Sequence, residues 1–373
     1  MQFRDLKAQY AALKPEIDAA MQEVLNSTAF ILGQPVRDLE EELASYTGRT
    51  HCVSCANGTE ALQLALMAMD IGPGDAVFTS DFTYFASAGC ASIIGATPVF
   101  ADIDLHTFNL DPASLEAAIQ ATFAEGKLRP KAIIPVDLFG LPADYRAILP
   151  IAEKYGLRIL EDAAQGFGGM LDRKRACSFG DVSATSFFPA KPLGCYGDGG
   201  AIFTDDAAMA ERLRSLRVAG KSPTDKYDNL EIGLNSRLDT LQAAILRVKL
   251  KAFSEYELAA VNRAAAIYTE RLRSHFRVPL VPEGYYSSWA QYTLLLENEA
   301  QRDALREKLK NAGIPSMVYY PRGLHQQKAY AHRHFSDEQF PNTVAATRRV
   351  LSLPIHPYLD EASVDLVVKA LLA

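Results

Sequence analysis

A chain of 373 residues is longer than one hydrophobic core usually serves, so a large domain with a smaller companion is the expectation. Hydrophobic residues at 49% and charged residues at 22% exclude a disordered or fibrous chain and leave ample material for a buried core. A formal charge of −7, with no block of Lys or Arg, removes the electrostatic footprint of a polyanion binder, so nucleic acid is not an expected partner.

The start, MQFRDLKAQY, lacks the basic-then-apolar order of a secretory signal, and no apolar run approaches the roughly 20 residues that span a bilayer. The expectation is a cytoplasmic protein without membrane contact. Five cysteines, an odd number in a long chain, point to reduced thiols. Cys52 and Cys55 form a C-x-x-C in a strand-like run, where residues three apart face opposite sides. Without a second pair or a His cluster they read as small buried residues, and no metal site is expected.

From about residue 50 to 205, short β-rich runs alternate with helical patterns. Seven strands are expected near 50–54, 76–79, 98–102, 132–137, 158–162, 183–188 and 201–204. Several are continuously apolar, as strands covered by helices on both faces are, which gives an α/β fold with a mostly parallel sheet. Their ends carry Asn57-Gly58-Thr59, Asp137, Glu161-Asp162 and Ser186; in open sheets of this kind ligands bind beyond the carboxyl ends of the strands, so these residues are expected to converge. After Asn235-Ser236-Arg237 a long helical pattern begins, with Ser236 as the expected N-cap, Asp239 three residues on, and Leu238, Leu241, Ile245 and Val248 on one stripe. The remainder reads as an α+β unit with strands near 291–296 and 315–319 and helices near 300–311 and 361–372. This divides the chain into 1–240 and 241–373.

Three motifs carry chemistry. Asn57-Gly58-Thr59-Glu60 follows a strand and opens a helix: glycine lets backbone approach an anion, free N–H groups and the helix dipole favour phosphate, and Thr59 adds a hydroxyl. The same segment also fits a plain turn capped by Asn57. Asp162, at the end of an apolar strand and followed by two alanines, is suited to hold a pyridine nitrogen protonated, or else to cap the next helix. Lys191, between Pro189 and Pro192 and ahead of a glycine-rich turn, is rigidly presented; in an apolar pocket its amine is a nucleophile for carbonyls. A phosphate cup, a strand-end aspartate and a fixed lysine, in that order, are the parts that pyridoxal phosphate requires. A dinucleotide-binding module is disfavoured because no G-x-G-x-x-G follows the first strand.

Through NGTEALQLAL, IGPGD, GATPVFADID, AIIPVDLFG, EDAAQGFG, SFFPAKPLG, GDGGAIFT and GLNSRLDTLQAAIL the chain resembles the DegT/DnrJ/EryC1/StrS sugar aminotransferases over essentially its whole length. The resemblance implies the fold-type I architecture and pyridoxal 5′-phosphate as cofactor. It implies Lys191 as the Schiff-base lysine, Asp162 at the pyridine nitrogen, Gln165 beside the ring oxygen, and Gly58, Thr59 and Ser186 on the phosphate. Tyr84 would stack on the ring, and Asn235 would reach the phosphate of the other subunit, making a homodimer with composite sites. Glutamate would donate the amino group to a keto-sugar nucleotide. The segments NSRLD and KPLGCYGDGG look most like enzymes acting at C3, notably on UDP-2-acetamido-2-deoxy-3-oxo-glucuronate for O-antigen synthesis.

The sugar-pocket segment, often His-Tyr-Pro in relatives, is Tyr319-Tyr320-Pro321 here, which keeps other 3-keto or 4-keto sugars open. Arg237 is the candidate for an anionic sugar or donor carboxylate, since guanidinium binds carboxylate through two bonds; an interface salt bridge is its alternative. Dehydratases of the same fold carry histidine at the lysine position, so Lys191 counts against that activity. A regulatory homologue without activity is the rival from another class.

Overall fold

The computed structural model describes residues 1–225 and 227–373. Helices α1 (Leu6–Ser27) and α2 (Gln34–Thr47) come first; Asp5 starts α1 by accepting the Ala8 N–H, and Pro35 suits the first turn of α2. Then β1 (His51–Cys55), α3 (Gly58–Ala68), β2 (Asp75–Ser80), α4 (Ala86–Ile93), β3 (Thr97–Ala101), α5 (Pro112–Glu125), β4 (Arg129–Ile134), α6 (Tyr145–Tyr155) and β5 (Arg158–Asp162) alternate. A short hairpin, β6 (Met170–Leu171) and β7 (Lys174–Arg175), precedes β8 (Val182–Ser186), β9 (Gly200–Thr204) and α7 (Ala207–Leu216).

The large sheet has seven strands in the order β1-β9-β8-β5-β4-β2-β3. Strands β2, β3, β4, β5 and β8 pair in parallel, while β9 runs antiparallel to both β8 and β1. Parallel strands need covering on both faces, and two apolar cores lie on either side. Cys52 and Cys55 show the alternation: Cys52 packs with Phe203 and Phe187 in one core, Cys55 with Leu62 and Ile202 in the other. All five cysteines are buried and reduced.

In α3, Ala61, Leu62, Leu64, Ala65 and Leu66 are buried against the sheet. Full burial of each leucine contributes about 2 kcal/mol, which fixes the N-terminus of this helix relative to β8 and β9.

The chain continues through α8 (Thr240–Ala252), a π-helical turn at Phe253–Glu257 and α9 (Leu258–Leu272). Beyond lie β10 (Tyr285–Tyr286), β11 (Tyr292–Leu295), α10 (Glu299–Asn311), α11 (Pro341–Arg349), β12 (Val350–Leu353) and α12 (Glu361–Leu372).

Three expectations change. Ser236 does not cap the long helix: its buried hydroxyl accepts the Ala56 N–H at 3.1 Å, residue 239 is extended, and the helix starts at Thr240. The reason is tertiary, because Asp239 bridges to Ile31 and the Thr240 N–H bonds the Phe30 carbonyl. The segment 315–319 is not a strand; Met317 makes a single bridge to Ser352, and β11 pairs instead with β12. Pro315 and Pro321, which lack N–H groups, flank that bridge. Finally, β4 ends at Ile134, so Asp137 lies in the connection beyond it rather than at the strand end.

Candidate active site

The carboxyl end of β1 runs directly into the first turn of α3. Asn57 caps that helix, its side chain accepting the Glu60 N–H at 2.9 Å, which leaves the Gly58 and Thr59 N–H groups without intrahelical acceptors. Ser186, at the end of β8, closes the other side. A Cβ on Gly58 would fall 2.5 Å from the Ser186 Cβ, so the two backbones approach this closely only because residue 58 is glycine. Gly58, Thr59 and Ser186 therefore form the expected cup, with a helix dipole aimed into it.

Asp162 ends β5 and is buried. The Ser87 hydroxyl donates to its Oδ2 at 2.7 Å and the Ala164 N–H to its Oδ1 at 3.1 Å. Burial raises its carboxyl above the ordinary range, while Ser87, the Ala164 N–H and the positive charge of Lys191 act in the opposite direction. Two of its roughly four acceptor positions remain for a cationic partner. Its neighbour Glu161 points to the other face of the sheet and accepts from the Cys177 N–H, the Phe179 N–H and the Ser183 hydroxyl. Asp137 also turns away. It accepts from the Ala143 N–H and the Tyr145 hydroxyl, and burial together with Glu161 pushes its carboxyl far up. Of the strand-end acids expected to converge, Asp162 is the one on which the charge of Lys191 acts.

Lys191 is half-buried in the turn after β8, its N–H bonded to the Phe188 carbonyl at 2.9 Å. Burial lowers the pKa of its amine, the negative charge of Asp162 opposes that, and the positive charge of Arg4 adds to it. Gln165 is braced at both ends of its amide: Oε1 accepts the Phe139 N–H at 2.8 Å and Nε2 donates to the Tyr320 hydroxyl at 3.0 Å. Tyr320 belongs to the C-terminal part of the chain, so this bond joins the cofactor side to the expected sugar side. Tyr319 meets Phe3 edge-on at 6.2 Å, and the Tyr319-Tyr320 peptide is cis.

Other expected residues are less enclosed. Tyr84 is 57% exposed and Asn235 is exposed on the surface. Arg237 is half-buried, and among the described residues it makes no ion pair. Ser87 carries no signature in the local pattern: only the topology brings α4 under the end of β5. Arg4 was equally hidden, because a residue ahead of the first helix belongs to no periodic pattern. Among the described residues no cluster of His, Cys, Asp and Glu could hold a metal, and no helix is long and apolar enough to cross a membrane.

A cup of this kind can take a phosphate, a buried acid a protonated ring nitrogen and a shielded amine a carbonyl, so these residues fit pyridoxal 5′-phosphate. The model of the DegT/DnrJ/EryC1/StrS aminotransferase family matches residues 11–372. The chain belongs to this family. It is 47% identical to the UDP-2-acetamido-2-deoxy-3-oxo-D-glucuronate aminotransferase of Pseudomonas aeruginosa, over 100% of this chain and 99% of that one. A crystal structure of a DegT/DnrJ/EryC1/StrS aminotransferase from Brucella abortus superimposes with a TM-score of 0.96 at 49% identity, covering 100% of this chain and 98% of that one. The PLP form of the sugar aminotransferase Spr1654 from Streptococcus pneumoniae gives a TM-score of 0.88 at 25% identity, over 96% of this chain and 95% of the other.

Proposed function

We propose that this aminotransferase moves an amino group from L-glutamate to a keto-sugar nucleotide, with C3 of UDP-2-acetamido-2-deoxy-3-oxo-glucuronate as acceptor. The observation that carries the chemistry is the half-buried Lys191 amine within reach of the charge of the buried Asp162 carboxyl, with Gly58 packed closely against Ser186. The substrate rests on the full-length similarity to the Pseudomonas aeruginosa enzyme.

Pyridoxal 5′-phosphate, when bound, supplies a carbonyl for the amino group and a ring that draws electrons from the carbon that loses its proton. Gly58, Thr59 and Ser186 would hold its phosphate, and Asp162 would keep the proton on its ring nitrogen. Ser87 orients that carboxylate from beneath. Lys191, whose amine burial makes easier to deprotonate, would bond the carbonyl group that the cofactor supplies and would move a proton to and from the substrate carbon. Gln165, locked by Phe139 and Tyr320, would stand toward the ring oxygen. Glutamate leaves as 2-oxoglutarate, and the keto-sugar leaves as the amino sugar.

Arg237 takes a carboxylate of sugar or donor, a role that its lack of an ion pair among the described residues leaves open to it. The working unit is a homodimer in which Asn235 completes the partner's phosphate site. Its support is apolar exposure: Tyr84 at 57%, Phe188 at 53% and Ile232 at 88% leave large side chains in water around the site and beside Asn235. Tyr84 is then held over the ring. The segments 1–240 and 241–373 are the two domains, and the enzyme works in the cytoplasm toward surface polysaccharide such as O-antigen.

The test is incubation with glutamate and UDP-2-acetamido-2-deoxy-3-oxo-glucuronate, followed by mass and NMR analysis. The expected products are the 3-amino sugar nucleotide and 2-oxoglutarate. Turnover of a dTDP- or UDP-linked 6-deoxy keto-sugar instead would reassign the acceptor, a change that would trace to Tyr319 standing where relatives carry histidine.

A further inference from the structure

The segment ahead of α1 lies against the active site. Arg4 Nη2 donates to the carbonyl of Lys191 at 2.9 Å and to that of Pro192 at 3.1 Å, across 187 and 188 residues of chain. On either side of it, the Phe3 carbonyl accepts the Ile355 N–H and the Phe3 ring meets Tyr319 of the expected sugar pocket. A second cation grips the same loop, the Lys249 ammonium bonding the Gly194 carbonyl.

These cations are balanced from behind. Buried Glu257 accepts from Gln9 at 2.9 Å and from the Tyr358 hydroxyl at 2.7 Å, and its charge faces Arg4. Burial pushes Arg4 down to about 10, so it remains charged at neutral pH. The charged and titratable groups facing Lys191 are Asp162 and Arg4; those facing Arg4 are Glu257, Lys249 and His356.

We propose that Arg4 is a positioning residue for Lys191: its guanidinium pins the two carbonyls that set the lysine's backbone and places a fixed positive charge beside that loop. A neutral donor could satisfy the carbonyls alone. A guanidinium there also disfavours a second positive charge on the lysine nitrogen, which must be free of its proton to attack a carbonyl or accept a proton from carbon. Through Phe3 the same segment touches Tyr319, so the lysine loop and the sugar side share one support. The inference rests on Lys191 being the lysine that bonds the cofactor.

The experiment compares Arg4→Met and Arg4→Lys with the native enzyme, all loaded with pyridoxal phosphate. Peptide mapping after borohydride reduction first fixes which lysine bonds the cofactor; a label elsewhere than Lys191 removes the premise and overturns the inference with it. With the label on Lys191, the visible absorbance is titrated against pH, and its midpoint reports the protonation of the lysine nitrogen. Arg4→Met is expected to raise that midpoint by on the order of one pH unit. Its kcat should fall roughly tenfold with KM for the sugar nucleotide little changed, as for a group acting on the chemical step. Arg4→Lys keeps the charge, so its midpoint should stay near the native one with kcat between the two. An unmoved midpoint in Arg4→Met, whether or not kcat falls, would reduce Arg4 to a structural tie and overturn the proposal.

Discussion

The Ser87 hydroxyl donates a 2.7 Å hydrogen bond to the Asp162 carboxylate, joining the start of α4 to the end of β5. Ser87 in turn meets the Thr83 hydroxyl at 3.2 Å, so the acid rests on a short polar relay within an apolar surround. Removing the donor leaves burial to act with less opposition, and the carboxyl pKa rises further. Ser87→Ala is therefore expected to move the acidic limb of the pH–activity profile upward. At its optimum it should lose about 1–2 kcal/mol of transition-state stabilisation, roughly tenfold in kcat/KM. An unshifted acidic limb would separate Ser87 from the catalytic carboxylate.

Asp162→Asn should fold and bind cofactor yet lose roughly a hundredfold or more in kcat, because an amide cannot keep the ring nitrogen protonated. Absorbance of the bound cofactor verifies loading. Near-normal turnover in a loaded sample would contradict the role.

Gly58→Ala places a methyl group 2.5 Å from the Ser186 Cβ, with backbone behind it. Relief of that overlap has to push β8 and α3 apart, at a cost of about 1–3 kcal/mol. Cofactor affinity, measured by equilibrium dialysis, should weaken by at least about tenfold. Unchanged affinity would show that the phosphate lies elsewhere.

His356 is buried, and burial, aided by the charge of Arg4, pushes its pKa down to about 4. A base depressed in the folded state contributes stability that is present above its unfolded pKa and is lost as the pH falls through the window from about 6.5 to about 4. Between pH 7 and 5 this amounts to about 2 kcal/mol, read as a fall in the urea midpoint. His356→Leu should lose less over the same interval. An equal acid response in both proteins would exclude this histidine as the source.

Much of the sheet was legible because β2, β4 and β5 carry consecutive apolar residues that face both sides. The placement of Asp162 after an apolar strand and of Lys191 in a proline-flanked turn was legible from the local pattern, while each alone also fits an ordinary helix cap or surface charge. Adjacent residues Glu161 and Asp162 must point opposite ways, but which of them faces the cup depends on the pairing of β5 with β8. The helix starts at Thr240 and not after Ser236 for a similar reason: the capping pattern is local, and a contact with Phe30 overrides it. The bridge at Met317 mimics a strand in sequence, since its apolar run was visible while its partner Ser352 was not.

The composite site has its own test. Lys191→Ala and Asn235→Asp should each be nearly inactive as homodimers, the second because its added carboxylate would repel the cofactor phosphate. Mixing them under subunit exchange should restore part of the activity, since one site of each heterodimer then joins an intact Lys191 to an intact Asn235. No recovery despite verified exchange would mean that each site is built within one chain.

The central claim is that Lys191 bonds the cofactor opposite Asp162, and borohydride reduction of the purified yellow protein followed by mass mapping of its peptides tests it most directly. The expected result is a single reduced pyridoxyl phosphate adduct on Lys191; an adduct on any other lysine, or none in protein that still carries its cofactor, would contradict it.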